Sequence, residues 1–392
     1  MAAGSIRPWG AVMNKRKSRK PISEKTKIKL WMRAGGRCQY EGCNAPLWQD
    51  DVTMTKMNKA YLAHIVADSP RGKRGHKVLS RKLATDFNNL MLLCDTHHRL
   101  IDVEAPEAHS VDRLAQMKEI HEQRIEAQTS VHFDRKTEIL LYGANIGAQA
   151  APLSYSKAAL AISPHRYPVS PAGISLSMKN SSFRETDDTF WALEKENLQR
   201  LFDQRVRPLV IDGTIKHLSV FGLAPQPLLV LLGSLITDIN EADVFQLHRE
   251  PSGWNWPDIK ATKAFTVEEP TAFNKPPALV LSLSADIADQ RISDALGEGN
   301  YSLWKVTTQA PHIDFLKSPE QLRHFRSLMR TLLNKIKMKH GEGHHIHLFP
   351  AAPVAVCVEL GRVRMPKADL PFRIYDQLWK GQKTGFFPAL DL

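Results

Sequence analysis

Two short pairs of ligand-type residues constrain this chain more than any other feature: Cys38-x4-Cys43 and, further on, Cys94-x2-His97. Thiolate and imidazole are good zinc ligands, and two close pairs can close a tetrahedron. Three of only 4 cysteines in 392 residues are used in this way, so the chain carries no disulfide framework. Residues 37–52 read as a turn-rich hairpin with little core of its own. Metal held there would contribute much of its folding free energy. Buried, unliganded cysteines are the bland alternative, and they explain one pair more easily than two.

Between the pairs lies Ala63-His64-Ile65, and the second pair sits in Asn89-Leu90-Met91-Leu92-Leu93-Cys94-Asp95-Thr96-His97-His98. A neutral imidazole is available near pH 7 and can take a proton from water. Asparagine does not titrate, so its natural role is to hold a loop by hydrogen bonds. His97 and His98 are adjacent and can point toward different ions. In this order the residues resemble the HNH endonucleases in their zinc-stapled form, in which His and an aliphatic residue are followed by Asn-Leu, Cys-x2-Cys/His and a further His. The resemblance covers residues 30–105. It implies a small ββα-metal domain in which Cys38, Cys43, Cys94 and His97 hold structural Zn2+. It also implies His64 as general base, Asn89 as the holder of the His64 loop, and His98 as ligand of a catalytic divalent ion, Mg2+. One position departs from the pattern. Many members carry Asp or Glu directly before the first histidine, and here that residue is Ala63. Asp102 and Asp68 are alternatives for the second protein ligand, and Asp102 serves equally as a group that orients a histidine.

Charge follows the same division. Residues 1–130 hold 23 Lys/Arg against 14 Asp/Glu, and the remainder 30 against 27. The basic arm 15–29 and the loop carrying Arg71, Lys73, Arg74, Lys77 and Arg81 flank the motif. Together they read as a track for the phosphates of double-stranded DNA, bound without regard to sequence.

The rest of the chain alternates strands and helices, which predicts layered α/β structure. Ser23 caps a helix to about residue 34, and Val111–Gln128 reads as an amphipathic helix. Strands are expected at 61–66, 218–223, 243–248, 278–283, 303–307 and 346–349. Helices are expected at 227–236, 319–339 and 354–360, with residues 131–155 as the connection between domains. Two segments are alike: SVFGLAPQPLLVLLGSL and IHLFPAAPVAVCVELG, each an apolar strand, an Ala/Pro turn and an apolar helix. They hint at two related halves. These segments, with DVFQLHREPSGWNW and the run to PKADLPFRIYD, resemble the SAVED domain, the cyclic-oligonucleotide sensor of bacterial antiphage systems of the CBASS type. The resemblance implies two fused CARF-like Rossmann units over 156–392, following an HNH domain over 1–130. Ligands of open α/β sheets bind at the carboxyl ends of strands, near helix N-termini that attract phosphate. The turns at Pro225 and Pro350, the cation Arg249, the indoles of Trp254 and Trp256, and the group Lys367 and Tyr375 are the expected ligand contacts.

The resulting expectation is a DNA endonuclease switched on by a cyclic di- or trinucleotide, self-associating as a dimer to tetramer when active. A non-cleaving, zinc-stapled DNA-binding protein needs neither His64 nor His98. An ordinary HNH restriction enzyme would need a more basic C-terminal part. The first twenty residues lack the apolar run of a signal peptide, and Pro225 and Pro227 interrupt the most apolar stretch. A soluble bacterial cytoplasmic protein without membrane contact is expected.

Overall fold

The computed structural model describes residues 21–50, 52–146, 153–178, 181–187, 189–258, 265–378 and 385–392. The chain divides into two compact units, Met1–Ser130 and Val131–Leu392. The basic arm expected at 15–29 lies partly outside the described residues.

In the first unit, Ser23 caps α1 (Glu24–Arg33), its Oγ accepting from the Thr26 amide at 3.1 Å. Gly35 and Gly36, at φ +60° and +66°, end the helix in a region that costs glycine little. The strand expected after residue 60 is β1 (Tyr61–His64), and α2 (Leu79–Lys82) lies in the basic loop. β2 (Leu90–Leu93) pairs antiparallel with β1, His64 opposite Leu90 and Tyr61 opposite Leu93. α3 (Asp95–Arg99) follows at once, continues as a π-helical turn over Leu100–Glu104, and leads to α4 (Val111–Thr129). All four residues of β2 are buried, which is why it reads as an unbroken apolar run: a strand covered on both faces needs no polar alternation. Leu30, Leu47, Ile65, Ile101 and Leu114 complete a core that also takes in Cys38.

The second unit consists of two halves. The first contains β3 (Lys136–Gly143), α5 (Tyr155–Ile162), β4 (Tyr167–Pro168), β5 (Ile174–Ser175), α6 (Phe190–Arg205), α7 (Arg207–Ile211), β6 (Leu218–Leu223), α8 (Gln226–Ile236) and β7 (Ala242–Phe245). Its sheet runs β4-β3-β6-β7 with β5 also on β3, and these pairings are parallel. A small hairpin, β8 (His248–Arg249) with β9 (Ser252–Gly253), precedes the second half. That half contains β10 (Thr266–Glu268), β11 (Pro277–Ser282), α9 (Asp289–Leu296), β12 (Ser302–Thr307), α10 (Pro319–His340), β13 (Ile346–Ala351), α11 (Val354–Val363), β14 (Phe372–Leu378) and β15 (Gly385–Asp391). Its sheet runs β10-β12-β11-β13-β14-β15, with antiparallel strands only at the two edges.

The inner order β12-β11-β13-β14 repeats β4-β3-β6-β7. The two similar segments are the core of this repeat: the same offset separates Leu218 from Ile346, Pro225 from Pro353 and Gly233 from Gly361. α8 and α11 are apolar on nearly every side and pack on each other at the two glycines. A Cβ on Gly233 would stand 1.9 Å from the Val358 carbonyl oxygen, and one on Gly361 2.0 Å from the Val230 carbonyl oxygen. This reciprocity is what a two-fold relation between the halves produces. Only glycine lets the two backbones approach so closely.

The stretch read from sequence as an inter-domain connection contains β3, buried from Thr137 to Gly143 and lying inside its sheet. A short apolar run such as Ile139–Tyr142, without turn signals on both sides, carries no period that identifies it as a strand. No helix among the described residues is long and apolar enough to cross a membrane.

Gly233→Ala is expected to force α8 and α11 apart and to destabilise the unit by about 3 kcal/mol or more. A melting temperature within 2 °C of the unaltered protein would show that the helices separate freely. Glu194 on α6 gives a second expectation. It is buried, neither carboxyl oxygen has a hydrogen-bond partner among the described residues, and burial raises its carboxyl from 4.5 to about 7. Between those values the folded chain keeps a proton that the unfolded chain has released, so this group costs stability as pH rises through the window. Glu194→Gln should therefore raise the unfolding free energy from urea titration at pH 8 by on the order of 3 kcal/mol, and at pH 5 by less than about 1 kcal/mol. Equal unfolding free energies at pH 8 would contradict this account.

Candidate functional site

The first unit brings four donors together. One ligand atom from each of Cys38, Cys43, Cys94 and His97 lies within 4.8 Å of the others, the one such group of three or more among the described residues. His97 Nδ1 is 3.1 Å from Cys94 Sγ and 3.8 Å from Cys38 Sγ. A tetrahedral zinc with Zn–S near 2.3 Å has donor–donor edges of about 3.8 Å, so the cluster fits this ion. Its placement follows from local chemistry. Gln39 docks the first pair beside β2: its amide donates to the Leu92 carbonyl at 2.9 Å, and its Oε1 accepts from the Leu92 amide at 2.7 Å. Cys94 stands at the end of β2 as the N-cap of α3, which carries His97 one turn later. Tyr40 stacks on the His97 ring at 4.1 Å and places its hydroxyl 2.9 Å from His109 Nε2. Burial, then the nearby thiols of Cys94 and Cys43, push the Cys38 thiol up. A dication removes that cost by taking the thiolate directly.

His64 is half-buried at the end of β1, its Nε2 2.9 Å from the Ala84 carbonyl oxygen. A carbonyl only accepts, so Nε2 of the neutral ring carries the proton and Nδ1 keeps the lone pair. Asn89, 4% exposed, clamps the chain just beyond His64. Its Oδ1 accepts from the Val66 amide at 2.7 Å, and its Nδ2 donates to the carbonyls of Val66 at 2.9 Å and Leu83 at 3.2 Å. His98 stacks on Tyr61 at 4.8 Å, and its Nε2 lies 3.4 Å from Asp102 Oδ2. An imidazole nitrogen and a carboxylate oxygen thus stand side by side. Such a pair offers a divalent cation two protein ligands, the rest of its shell being left to water or phosphate oxygens.

The cations of the basic loop separate into two kinds. Arg71, Lys73, Lys77 and Arg81 are exposed, Lys73 in a surface pair with Glu107 at 3.2 Å. Arg74 turns inward and is bonded to backbone carbonyls and to Asp102. Its position corrects the reading of all five as a phosphate track.

In the second unit, a cleft of about 500 Å³ opens where the turns before α8 and α11 meet, lined by Leu223, Gln226, Gln246, Arg249, Ser284 and Pro353 among others. Both helices begin at prolines, Pro225 and Pro353, without side-chain caps of their own. Residues of the first half cap the second. Gln226 Oε1 accepts from the Ala352 amide and Gln246 Oε1 from the Ala355 amide, each at 3.2 Å. The two N-termini and exposed Arg249 make this mouth attractive to an anion.

The expected ligand contacts do not all gather here. Arg249 lines the cleft, and Pro225 stands at its edge as the N-cap of α8. Pro350 is a buried strand residue opposite Leu281. Trp254, 3% exposed, packs edge-on against Phe221 in the core, so its indole is not offered to a base. Trp256 is half-buried against His248. Tyr375 is buried on Phe349, with its hydroxyl 3.0 Å from His347 Nδ1. Lys367 is exposed in the turn that leads from α11 to the start of β14, at the amino end of the strands and away from their carboxyl-end turns. Gln226 and Gln246 escaped the sequence reading. The signal for Gln226 was its place as a lone amide within LAPQPLLVLL.

The purified chain is expected to hold about one zinc ion, and Cys38→Ser to lower both metal content and melting temperature. Full stoichiometry in the variant would remove Cys38 from the ligand set.

Comparison with known proteins gives one matching family and several similar solved structures. Residues 198–392 match the family described as "SMODS-associated and fused to various effectors sensor domain", SAVED. No curated protein matches the sequence. Among solved structures, the chain is similar to an Acinetobacter baumannii Cap4 SAVED/CARF-domain containing receptor with the cyclic trinucleotide 3'3'3'-cAAA, at 13% identity and TM-score 0.43, over 81% of this chain and 66% of that one. The same receptor with 2'3'3'-cAAA gives 12% identity and TM-score 0.44, over 81% and 65%. A Moraxella osloensis Cap4 SAVED/CARF-domain containing receptor gives 12% and 0.39, over 80% and 70%. The chain thus spans just under two thirds of the length of the Acinetobacter structures it matches. From Leu198 to its last residue, the second unit is a SAVED domain.

Proposed function

We propose that this protein is a cyclic-oligonucleotide-activated DNA endonuclease of the HNH type, an effector of CBASS antiphage defence. The observation that carries the reading is the union in one chain of a SAVED sensor domain with a unit that holds a four-donor cluster at one end of the β1–β2 pair and His64 and Asn89 at the other, with His98 on the helix after β2. A family described as fused to effectors supports an effector role for whatever is joined to it.

In this reading Cys38, Cys43, Cys94 and His97 hold structural Zn2+, whose contribution is folding free energy. His98, with Asp102 beside it, holds Mg2+, which supplies positive charge at the scissile phosphate. The remaining work belongs to side chains of the protein. His64 takes a proton from the attacking water at Nδ1, the nitrogen left free when Nε2 faces Ala84. Asn89 keeps the backbone beyond His64 in place through its bonds to Val66 and Leu83. Arg71, Lys73, Lys77 and Arg81 neutralise phosphates of double-stranded DNA, giving binding that weakens with salt and ignores sequence.

The cleft at the starts of α8 and α11 receives a cyclic di- or trinucleotide, with Arg249 and the helix N-termini facing its phosphates. The ligand must bind the active form more tightly than the idle form, or it shifts nothing. Self-association completed by the ligand supplies that difference. A DNA-binding protein without cleavage would have no use for a histidine whose free nitrogen is prepared as a base.

His64→Ala should abolish cleavage of plasmid DNA while calorimetry shows unchanged binding of the cyclic nucleotide and unchanged zinc content. Cleavage retained within threefold of the unaltered protein would eliminate His64 as the base.

A further inference from the structure

We infer that Arg74 is a positioning residue for DNA cleavage and not a phosphate contact, an inference that rests on the nuclease reading above. Arg74 lies among exposed cations, yet its side chain is 6% exposed. Its Nε donates to the Ile65 carbonyl at 3.0 Å, Nη1 to the Ile101 carbonyl at 2.5 Å, and Nη2 to the His64 carbonyl at 3.3 Å and to Asp102 Oδ1 at 2.5 Å. A guanidinium has five N–H groups, and four acceptors on the protein leave little of it for DNA.

The loop is shaped to permit this inward turn. Gly72 and Gly75 flank Arg74. A Cβ on Gly72 would stand 2.8 Å from Ala67 Cβ, and one on Gly75 2.5 Å from the Ser69 carbonyl oxygen. The Arg74 carbonyl also accepts from the Ala67 amide at 3.2 Å. The loop therefore folds tightly onto residues 67–70 and directs its arginine to the interior.

The contacts join two candidate catalytic groups. On one side the fork grips the carbonyls of His64 and Ile65, at the end of the β1–β2 ladder, where the Ile65 amide makes its last backbone bond across to Asn89 at 2.9 Å. On the other it holds one oxygen of Asp102 while the second oxygen faces His98 Nε2 at 3.4 Å. One planar cation thus sets the spacing between the proposed base and the ligand of the proposed metal. Lysine cannot reproduce this, because a point charge on a flexible stem does not bridge four acceptors in a plane.

The test compares the full-length protein with Arg74→Met, Arg74→Lys and Lys77→Met, in the presence of whichever cyclic nucleotide activates it. The readings are kcat and KM on duplex DNA, Mg2+ needed for half-maximal rate, pH profile, salt dependence of DNA binding, and zinc content. Both Arg74 variants should lower kcat about 10²-fold, the loss typical of a displacement near 1 Å, with KM and salt slope unchanged. They should also raise the Mg2+ requirement, which a mere loss of folded protein would not do. Lys77→Met should instead raise KM and reduce the salt slope by about one. If Arg74→Met behaves like Lys77→Met, Arg74 contacts phosphate and the inference is overturned. Where Arg74→Met does not fold, Asp102→Asn serves: an unchanged kcat and Mg2+ requirement there also overturns it. Failure of the unaltered protein to cut with any ligand overturns the nuclease reading, and this inference with it. Cutting that survives both Arg74 variants overturns the inference alone.

Discussion

A strand of four residues with one neighbour cannot aim a side chain through its own ladder, since an isolated two-stranded pair is marginal in water. β1 and β2 are such a pair, and the proposed base sits at its end. The first unit meets this constraint with polar anchors at both ends of the strands. At one end Asn89 and Arg74 bind the backbone around His64. At the other, Gln39 and the Cys38, Cys43, Cys94 and His97 donors gather the chain around the end of β2. Without those anchors the apolar run of β2 would still be buried, but the backbone that carries His64 would be held only by the short ladder and by the ring's own bond to the Ala84 carbonyl.

The second unit solves a different problem. Two Rossmann-like halves must meet closely enough for their carboxyl-end turns to form one cleft. The glycines at the α8–α11 contact allow that approach, and Gln226 and Gln246 cross from one half to cap the other. Capping by amides from the first half breaks the two-fold relation at the mouth of the cleft. A ligand there meets two unlike walls, with Arg249 contributed by the hairpin between the halves.

Patterns that depend on spacing were legible in the sequence; those that depend on which way a charged side chain turns were not. The four donors are separated by up to 59 positions, yet their pairing foretold their convergence. The repeated strand–turn–helix was visible because apolar periodicity and the prolines recur at a constant offset. Arg74 was misread because a lysine- and arginine-rich loop looks like a surface, and nothing in composition reports that one cation is drawn inward by carbonyls. Trp254 was misread for the related reason that an indole in a polar stretch looks available, whereas here it packs on Phe221. β3 went unseen because a run of four apolar residues carries too little period, and Lys367 and Tyr375 were grouped by proximity in sequence although Tyr375 is buried in its strand and Lys367 is exposed in the turn before it.

The proposal that a sensor is joined here to a phosphodiester-cleaving unit is most directly tested by incubating the purified protein with plasmid and Mg2+ alone, and then with each of a panel of cyclic di- and trinucleotides. The account predicts intact plasmid without ligand and degradation with one member, or a closely related few. Degradation that proceeds equally without any cyclic nucleotide, or intact DNA with every one, would contradict it.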